Sequence, residues 1–317
     1  MSNTDTSMSR RKALTLGGRI AGGLVAASSS PFFAPGRTFA SDSSLPVKEI
    51  EEIMETTGKV MNGVLTIDLE RTDLHVIGPQ GIPFKPAFEL LHEFHFQPLG
   101  DGRAFLNGDM TVLPHEANPV IDRIFAGGLV FQALHQHFMD EHPQTFHPHF
   151  RGIGDPIHLA QAAISMVRAT GTPLPQSQPE HPTTPLPAEQ LAHILGGTAE
   201  VSSEGVVTVS IPRAETIFVA GVALKPEMGV EVTVAFEPLD DNGFAACAPD
   251  YALIASEVNP ALKEARRQGF EVHCLYNQET AEEPQLFFSH NIAKGNAIDL
   301  ARRVSRVLDK MHLKRSS

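Results

Sequence analysis

The chain has 317 residues, of which 42% are hydrophobic and 20% charged, with a formal net charge of −12. That length and apolar fraction can bury a substantial core and suggest about two domains. The acidic balance leaves no basic patch to neutralise phosphates, which argues against nucleic acid as a partner.

Residues 1–40 read as an export signal. Ser9-Arg10-Arg11-Lys12-Ala13-Leu14 is a twin-arginine pattern, followed by a Gly/Ala-rich run from Leu14 to Ala27. Arg19 interrupts that run, so it does not suit a stable membrane span, and no later stretch is long and apolar enough for one. Thr38-Phe39-Ala40 offers small residues for cleavage, giving a mature start near Ser41. The segment holds five basic groups and one acidic group, so the remainder carries −16. The expected location is the periplasm or the exterior, reached by a route that carries proteins already folded, often with a cofactor bound.

The rest of the chain contains itself twice. Glu116–Ala160 lies over Glu257–Ala301 without a gap, at an offset of 141. Glu116, Asn118, Pro119, Pro143, Phe146 and His149 meet Glu257, Asn259, Pro260, Pro284, Phe287 and His290. Upstream, Asp109 meets Asp250, Lys85-Pro86 meets Lys225-Pro226, and Gly63-Val64-Leu65-Thr66 meets Gly205-Val206-Val207-Thr208. The boundaries expected are copy one at 41–170, a Pro-rich linker at 171–186 and copy two at 187–317. What both copies keep is needed to fold, and what one alone carries is a candidate for function.

In chain order, Val64–Leu69 reads as a strand. Phe88, Leu90, Phe94 and Phe96 alternate with Glu89, Glu93, His95 and Gln97, a half-buried strand repeated by Val230, Val232, Val234 and Phe236. Gly100-Asp101-Gly102 and Asp241-Asn242-Gly243 read as hairpin turns. Asn118-Pro119 reads as a helix start and Gly127-Gly128 as its end. Leu129–Phe138 and Thr145–Ile153 are then strands, and Asp155-Pro156 caps a helix through Thr170. Each copy is thus a β-rich α+β unit, about ββββ-α-ββ-α, and the two pack about a pseudo-twofold axis. The prolines of the linker favour an extended tether.

Nine of the 15 histidines fall between His92 and His158. His135 and His137 are two apart, as are His147 and His149, so each pair shares one face of a strand. A hairpin centred on His142 sets His135 opposite His149 and His137 opposite His147, with Cβ atoms about 4.5–5.5 Å apart. Imidazoles so placed can converge on one ion at about 2.0–2.1 Å from each nitrogen. Glu116, just before the helix, can reach the same rim, although its presence in both copies favours a structural hydrogen bond. His135, His137, His149 and Glu116, with His147 beside them, form a ligand set suited to Zn, Mn, Fe or Cu(II). Arg151 follows on that face and is the candidate for holding an anionic substrate. His92 replaces Val232 of copy two on an apolar face and reads as a core residue; His115, His142 and His158 read as solvent-facing.

At the positions of the four cluster histidines copy two has Tyr276, Gln278, Phe288 and His290, with Glu257 in place of Glu116. That set is too poor in donors to hold a divalent ion tightly, so copy two reads as scaffold or as half of a shared pocket. Cys247 and Cys274 are the only cysteines, and their spacing leaves a disulfide open.

The runs Glu116-Ala117-Asn118-Pro119-Val120, Ala133-Leu134-His135-Gln136-His137 and Phe146-His147-Pro148-His149-Phe150, then Gly154-Asp155, are similar to the LppY/LpqO family, over most of the mature chain. Members commonly show His-Asn-His where this chain has His135-Gln136-His137, and an apolar residue where it has His147. The family's domain has no assigned function, so the resemblance supplies no reaction. Its namesakes look like lipoproteins, whereas no cysteine stands near this cleavage site. The expected function is a soluble exported protein with one transition metal, an open coordination position and hydrolytic or oxidative chemistry on a small anionic substrate. The alternative is a non-catalytic ligand-binding or envelope interaction protein.

Overall fold

Copy one opens with helix α1 (Val47–Met54) and strands β1 (Lys59–Met61) and β2 (Val64–Glu70). A small hairpin, β3 (Val76–Gly78) and β4 (Ile82–Phe84), leads to the single turn α2 (Pro86–Glu89). Strands β5 (Leu91–Pro98) and β6 (Ala104–Met110), helix α3 (Pro114–Ala126), strands β7 (Val130–His135) and β8 (His147–Gly154), and helix α4 (Pro156–Val167) complete it. Copy two repeats the order with α5 (Ala188–Leu195), β9 (Thr198–Val201), β10 (Val207–Ile211), β11 (Ile217–Val219), β12 (Val222–Leu224), β13 (Val232–Pro238) and β14 (Phe244–Ile254). It closes with α6 (Ala255–Arg267), β15 (Glu271–Val272), β16 (Glu282–Glu283), β17 (Leu286–Asn296) and α7 (Ala297–Leu308). This computed structural model describes residues 44–177 and 181–316, and the export signal read at 1–40 lies outside them.

Each copy builds a six-stranded antiparallel sheet, ordered β1-β2-β5-β6-β8-β7 in copy one and β15-β17-β14-β13-β10-β9 in copy two. The sheet elements with α3 and α4, or α6 and α7, give the expected ββββ-α-ββ-α order; α1, α5 and the small hairpins are additions. Period-two alternation decides which face meets the helices. Leu65, Ile67, Leu69, Phe94 and Phe96 are fully buried and join Ile50, Val120, Ile124 and Met166 in the copy-one core. Their neighbours Thr66, Asp68, Glu93 and His95 point the other way, onto a cavity shared with Thr208, Ser210, Glu231 and Thr233 of copy two.

The copies meet through reciprocal contacts. Lys85 donates from its backbone N to Glu237 Oε2 (3.2 Å), and Lys225, its equivalent, donates to Gln97 Oε1 (2.8 Å). Lys85 Nζ reaches the Glu204 carbonyl while Lys225 Nζ reaches that of Asn62. Lys59 and Glu200, equivalent residues, pair with each other at 2.6 Å. A contact answered by the same positions in reverse is the signature of a two-fold interface.

Three local expectations shift. Phe88 lies on the α2 turn, so the strand begins only at Leu91, after Lys85-Pro86 has started a helical turn. Helix α3 begins at Pro114 rather than Asn118: Leu113 is extended, Pro114 suits the first position, and Glu116 accepts the Leu113 N–H at 2.8 Å. Pro119 sits inside the helix, as Pro260 does in α6. At the other end, Gly128 adopts φ +70°, which suits a glycine after the last turn. The linker's first residues are not a free tether. Gln176 bonds both backbone groups of Glu70, and Thr172 Oγ1 lies 2.6 Å from His92 Nε2. His92 is accordingly a fully buried structural residue, its Nδ1 accepting from Thr111 N.

Candidate metal centre between the copies

The histidine segment starts on β7 and leaves it early. Strand β7 pairs with β8 so that His135 faces His147 and Ala133 faces His149, with a register irregularity between Phe131 and Ala133. The backbone is therefore two residues out of the register expected of a hairpin centred on His142. His137 lies beyond the strand, where Phe138 turns inward to bury completely, 5.2 Å from the Phe84 ring. That inward turn brings the rings into the expected pairs by another route. His135 Nε2 lies 2.7 Å from His149 Nε2, and the His137 and His147 rings stack at 3.4 Å.

Copy two completes the cluster. His290, on β17, stacks on His137 at 3.6 Å, so His137 is sandwiched between His147 and His290. Tyr276 stacks on His135 at 3.5 Å. Gln278 lines the cavity and bonds the Gly229 carbonyl at 2.9 Å. Two carboxylates approach the stack from copy one: Glu89 Oε2 lies 3.1 Å from His137 Nδ1, and Asp109 Oδ2 lies 3.5 Å from His147 Nδ1. Asp250 Oδ2 of copy two lies 3.8 Å from His290 Nε2.

Two overlapping trios result, Glu89–His137–His290 and Asp109–His137–His147, the donor atoms within each all lying within 4.8 Å of one another. By contrast, two nitrogens tetrahedrally placed on one ion sit about 3.3 Å apart. His135 and His149, at 2.7 Å, are instead hydrogen-bonded to each other.

Electrostatics suit a cation. Burial holds the pKa of His135, His137, His149 and His290 well below the usual imidazole value, with neighbouring rings adding to the effect, and burial lowers His147 to about 4. The rings are thus neutral, the form that ligates metals. Burial raises Asp109 to about 7 and, with the neighbouring Asp109 charge, Asp250 to about 7. Glu93 rises to about 8 through burial and the charges of Asp109 and Asp250. His147 is 2% exposed and its Nδ1 has no hydrogen-bond partner.

Glu116 is not part of this cluster. Its carboxylate accepts from Arg71 Nη1 (2.8 Å), Arg71 Nη2 (3.1 Å), Leu113 N (2.8 Å) and Gly171 N (2.8 Å), which occupies its lone pairs. Copy two repeats the arrangement: Glu257 accepts from Arg213, Ile254 N and His312 N. This buried pairing explains why both copies keep the glutamate. Arg151 also stands apart, donating to Gln132 Oε1 and, at 2.7 Å, to Thr280 Oγ1, and it does not line the cavity. Sequence reasoning missed Glu89, Glu93 and Asp109 as site residues. The retention of Asp109 as Asp250, beside an aligned His149 and His290, was the available signal.

Both cysteines are free thiols. Cys247 is buried, whereas Cys274 Sγ lies 3.4 Å from His290 Nδ1, and burial raises its pKa to about 12. No helix among the described residues is long and apolar enough to cross a membrane.

No curated protein matches this sequence. Among solved structures, a trimeric bacterial microcompartment shell protein, PduB, aligns over 80% of this chain and 92% of its own at 11% identity, with a TM-score of 0.18, too loose a likeness to carry an argument. A family model matches twice, over residues 48–169 and 189–310, and on that ground the chain belongs to the family described as Domain of Unknown Function (DUF1259), present here in two tandem copies.

Proposed function

We propose that the chain binds one divalent transition metal in the cleft between its copies, with His137 as the central donor. Glu89, His290, Asp109 and His147 surround it. The observation that carries this reading is the pair of donor trios sharing His137, drawn from both copies and buried with neutral imidazoles. Nitrogen and carboxylate donors without a thiolate suit Zn, Mn, Fe or Cu(II). Such an ion would supply Lewis acidity or a bound water of lowered pKa. The cavity, about 280 Å³, fits only a small molecule. Its carboxylate-rich wall and the distance of Arg151 favour a neutral substrate over the anion expected from sequence.

Elemental analysis of purified protein tests the reading. Wild-type protein is expected to carry about one equivalent of metal, and His137→Ala to lose it. His290→Ala, although in the other copy, is expected to weaken binding by about tenfold or more. Metal-free protein whose melting temperature ignores added Zn, Mn or Cu would sink the proposal.

A non-catalytic reading draws on the same cavity, because duplicated domains place small-ligand pockets at their shared interface. Turnover by metal-loaded protein separates the two. We also read the domain as that of LppY/LpqO proteins, on the His135–Phe150 run. Twin-arginine export of a folded, metal-loaded protein to the periplasm fits the leader at residues 1–40.

A further inference from the structure

We infer that an acidic row, running from Glu200 of copy two at the rim along the copy-one wall, is the path by which the metal cation reaches the histidines. This inference rests on the metal-binding reading above. The row is set by strand register. Asp68 on β2 stands opposite Glu93 on β5, Glu93 opposite Asp109 on β6, and Asp109 opposite His149 on β8. Glu200 lies within electrostatic reach of Asp68 and pairs with Lys59 at the rim, where both side chains are about half exposed (50% and 54%). Carboxylates therefore succeed one another, Glu200, Asp68, Glu93, Asp109, from solvent to the imidazole stack.

Copy two shows that the fold does not require this row. Its equivalent positions, paired in the same register, are Ser210, Thr233, Asp250 and His290. The inner Asp and His occur twice, whereas Asp68 and Glu93 have no acidic counterpart in copy two. Like charges directly opposite each other destabilise a strand pair. Among the described residues, Lys59 is the only lysine or arginine lining the cavity, and it pairs with Glu200 rather than with Glu93. Asp68 Oδ1 has no hydrogen-bond partner, and its residue lines the same cavity as deeply buried His147.

Among the described residues, no three of these acids converge as the histidine trios do. A row of oxygen donors without a convergent set can pass a cation along without trapping it. Where these acids are ionised, a cleft lined by one sign of charge also raises the local concentration and on-rate of its counter-ion, by about 10–10³-fold.

Rapid-mixing measurement of Zn²⁺ uptake by apo-protein above pH 8, where Glu93 is ionised, tests the path. Asp68→Ser combined with Glu93→Thr installs the residues copy two already uses there. Uptake is expected to slow about tenfold or more at low salt, with wild-type stoichiometry and a gap that narrows at high salt. Lys59→Gln, an exposed change that leaves Glu200 unpaired, is expected to speed uptake and remains informative if the double variant misfolds. Equal rates in wild type and variants overturn the inference. So does lost stoichiometry in the double variant, which would make these acids ligands. Wild-type protein that binds no zinc fails the metal reading itself, a separate and recognisable result.

Discussion

His137 and His290 belong to different copies, yet their rings stack with centroids 3.6 Å apart. One of the two donor trios therefore exists only where the copies dock. Glu89 and His137 come from copy one and His290 from copy two, whereas Asp109, His137 and His147 all lie in copy one. The duplication is thus part of the site rather than a spare scaffold.

Glu116 offers a sharp distinction between folding and ligation. Its buried ion pair with Arg71 predicts that Glu116→Ala destabilises the protein by about 1–3 kcal/mol, because the Leu113 and Gly171 N–H groups lose their acceptor and Arg71 keeps only Asp73 as a carboxylate partner. Glu257→Ala is expected to do the same through Arg213. Chemical denaturation measures the loss. Metal content of the folded fraction should not change, and a specific loss of metal in Glu116→Ala would restore it as a ligand.

Stability of the metal-free protein should depend on pH in a defined direction. Glu93 titrates near 8 when folded, above its ordinary value of 4.5, so its contribution is present below 4.5 and lost as pH rises through 8. His147 titrates near 4 when folded, below 6.5, so its contribution is present above 6.5 and lost as pH falls through 4. The two oppose each other between 4.5 and 6.5. Above 6.5 the carboxyl effect acts alone, so apo-protein should lose stability from pH 6.5 to 8, by at most about 1.36 kcal/mol per pH unit for one group. Glu93→Gln should make that decline shallower without abolishing it, since Asp109 and Asp250, both near 7, act in the same window, in urea titrations run at both pH values. An unchanged slope in this variant rules Glu93 out as the cause.

The thiols should stay reduced and slow. With its pKa near 12, Cys274 is about 10⁻⁴ thiolate at pH 8, and Cys247 is fully buried. An aromatic disulfide reagent should titrate two thiols in denaturant and almost none in native protein. Finding no thiol in denaturant would instead show that the pair had oxidised.

The division between sequence and structure runs along identifiable residues. The internal repeat, the alternation of Leu65, Ile67, Phe94 and Phe96, and the turn glycines are local or periodic signals, and they yielded the strands, the α+β class and the histidine-rich segment. Glu116 misled as a ligand because its partner, Arg71, lies 45 residues away. The register at His135 also escaped, since a strand irregularity and the burial of Phe138 depend on what packs beneath them.

By itself, then, the sequence determined that two similar sheets form and that one of them carries most of the imidazoles. Only the tertiary structure decided that the polar faces of those sheets turn toward each other. A strand's period specifies which residues share a face, but not whether that face meets water or a second sheet. That choice brought Asp109, Glu89 and His290 to His137, and it is set by docking contacts such as Lys85 to Glu237 and Lys225 to Gln97, which are far apart in sequence.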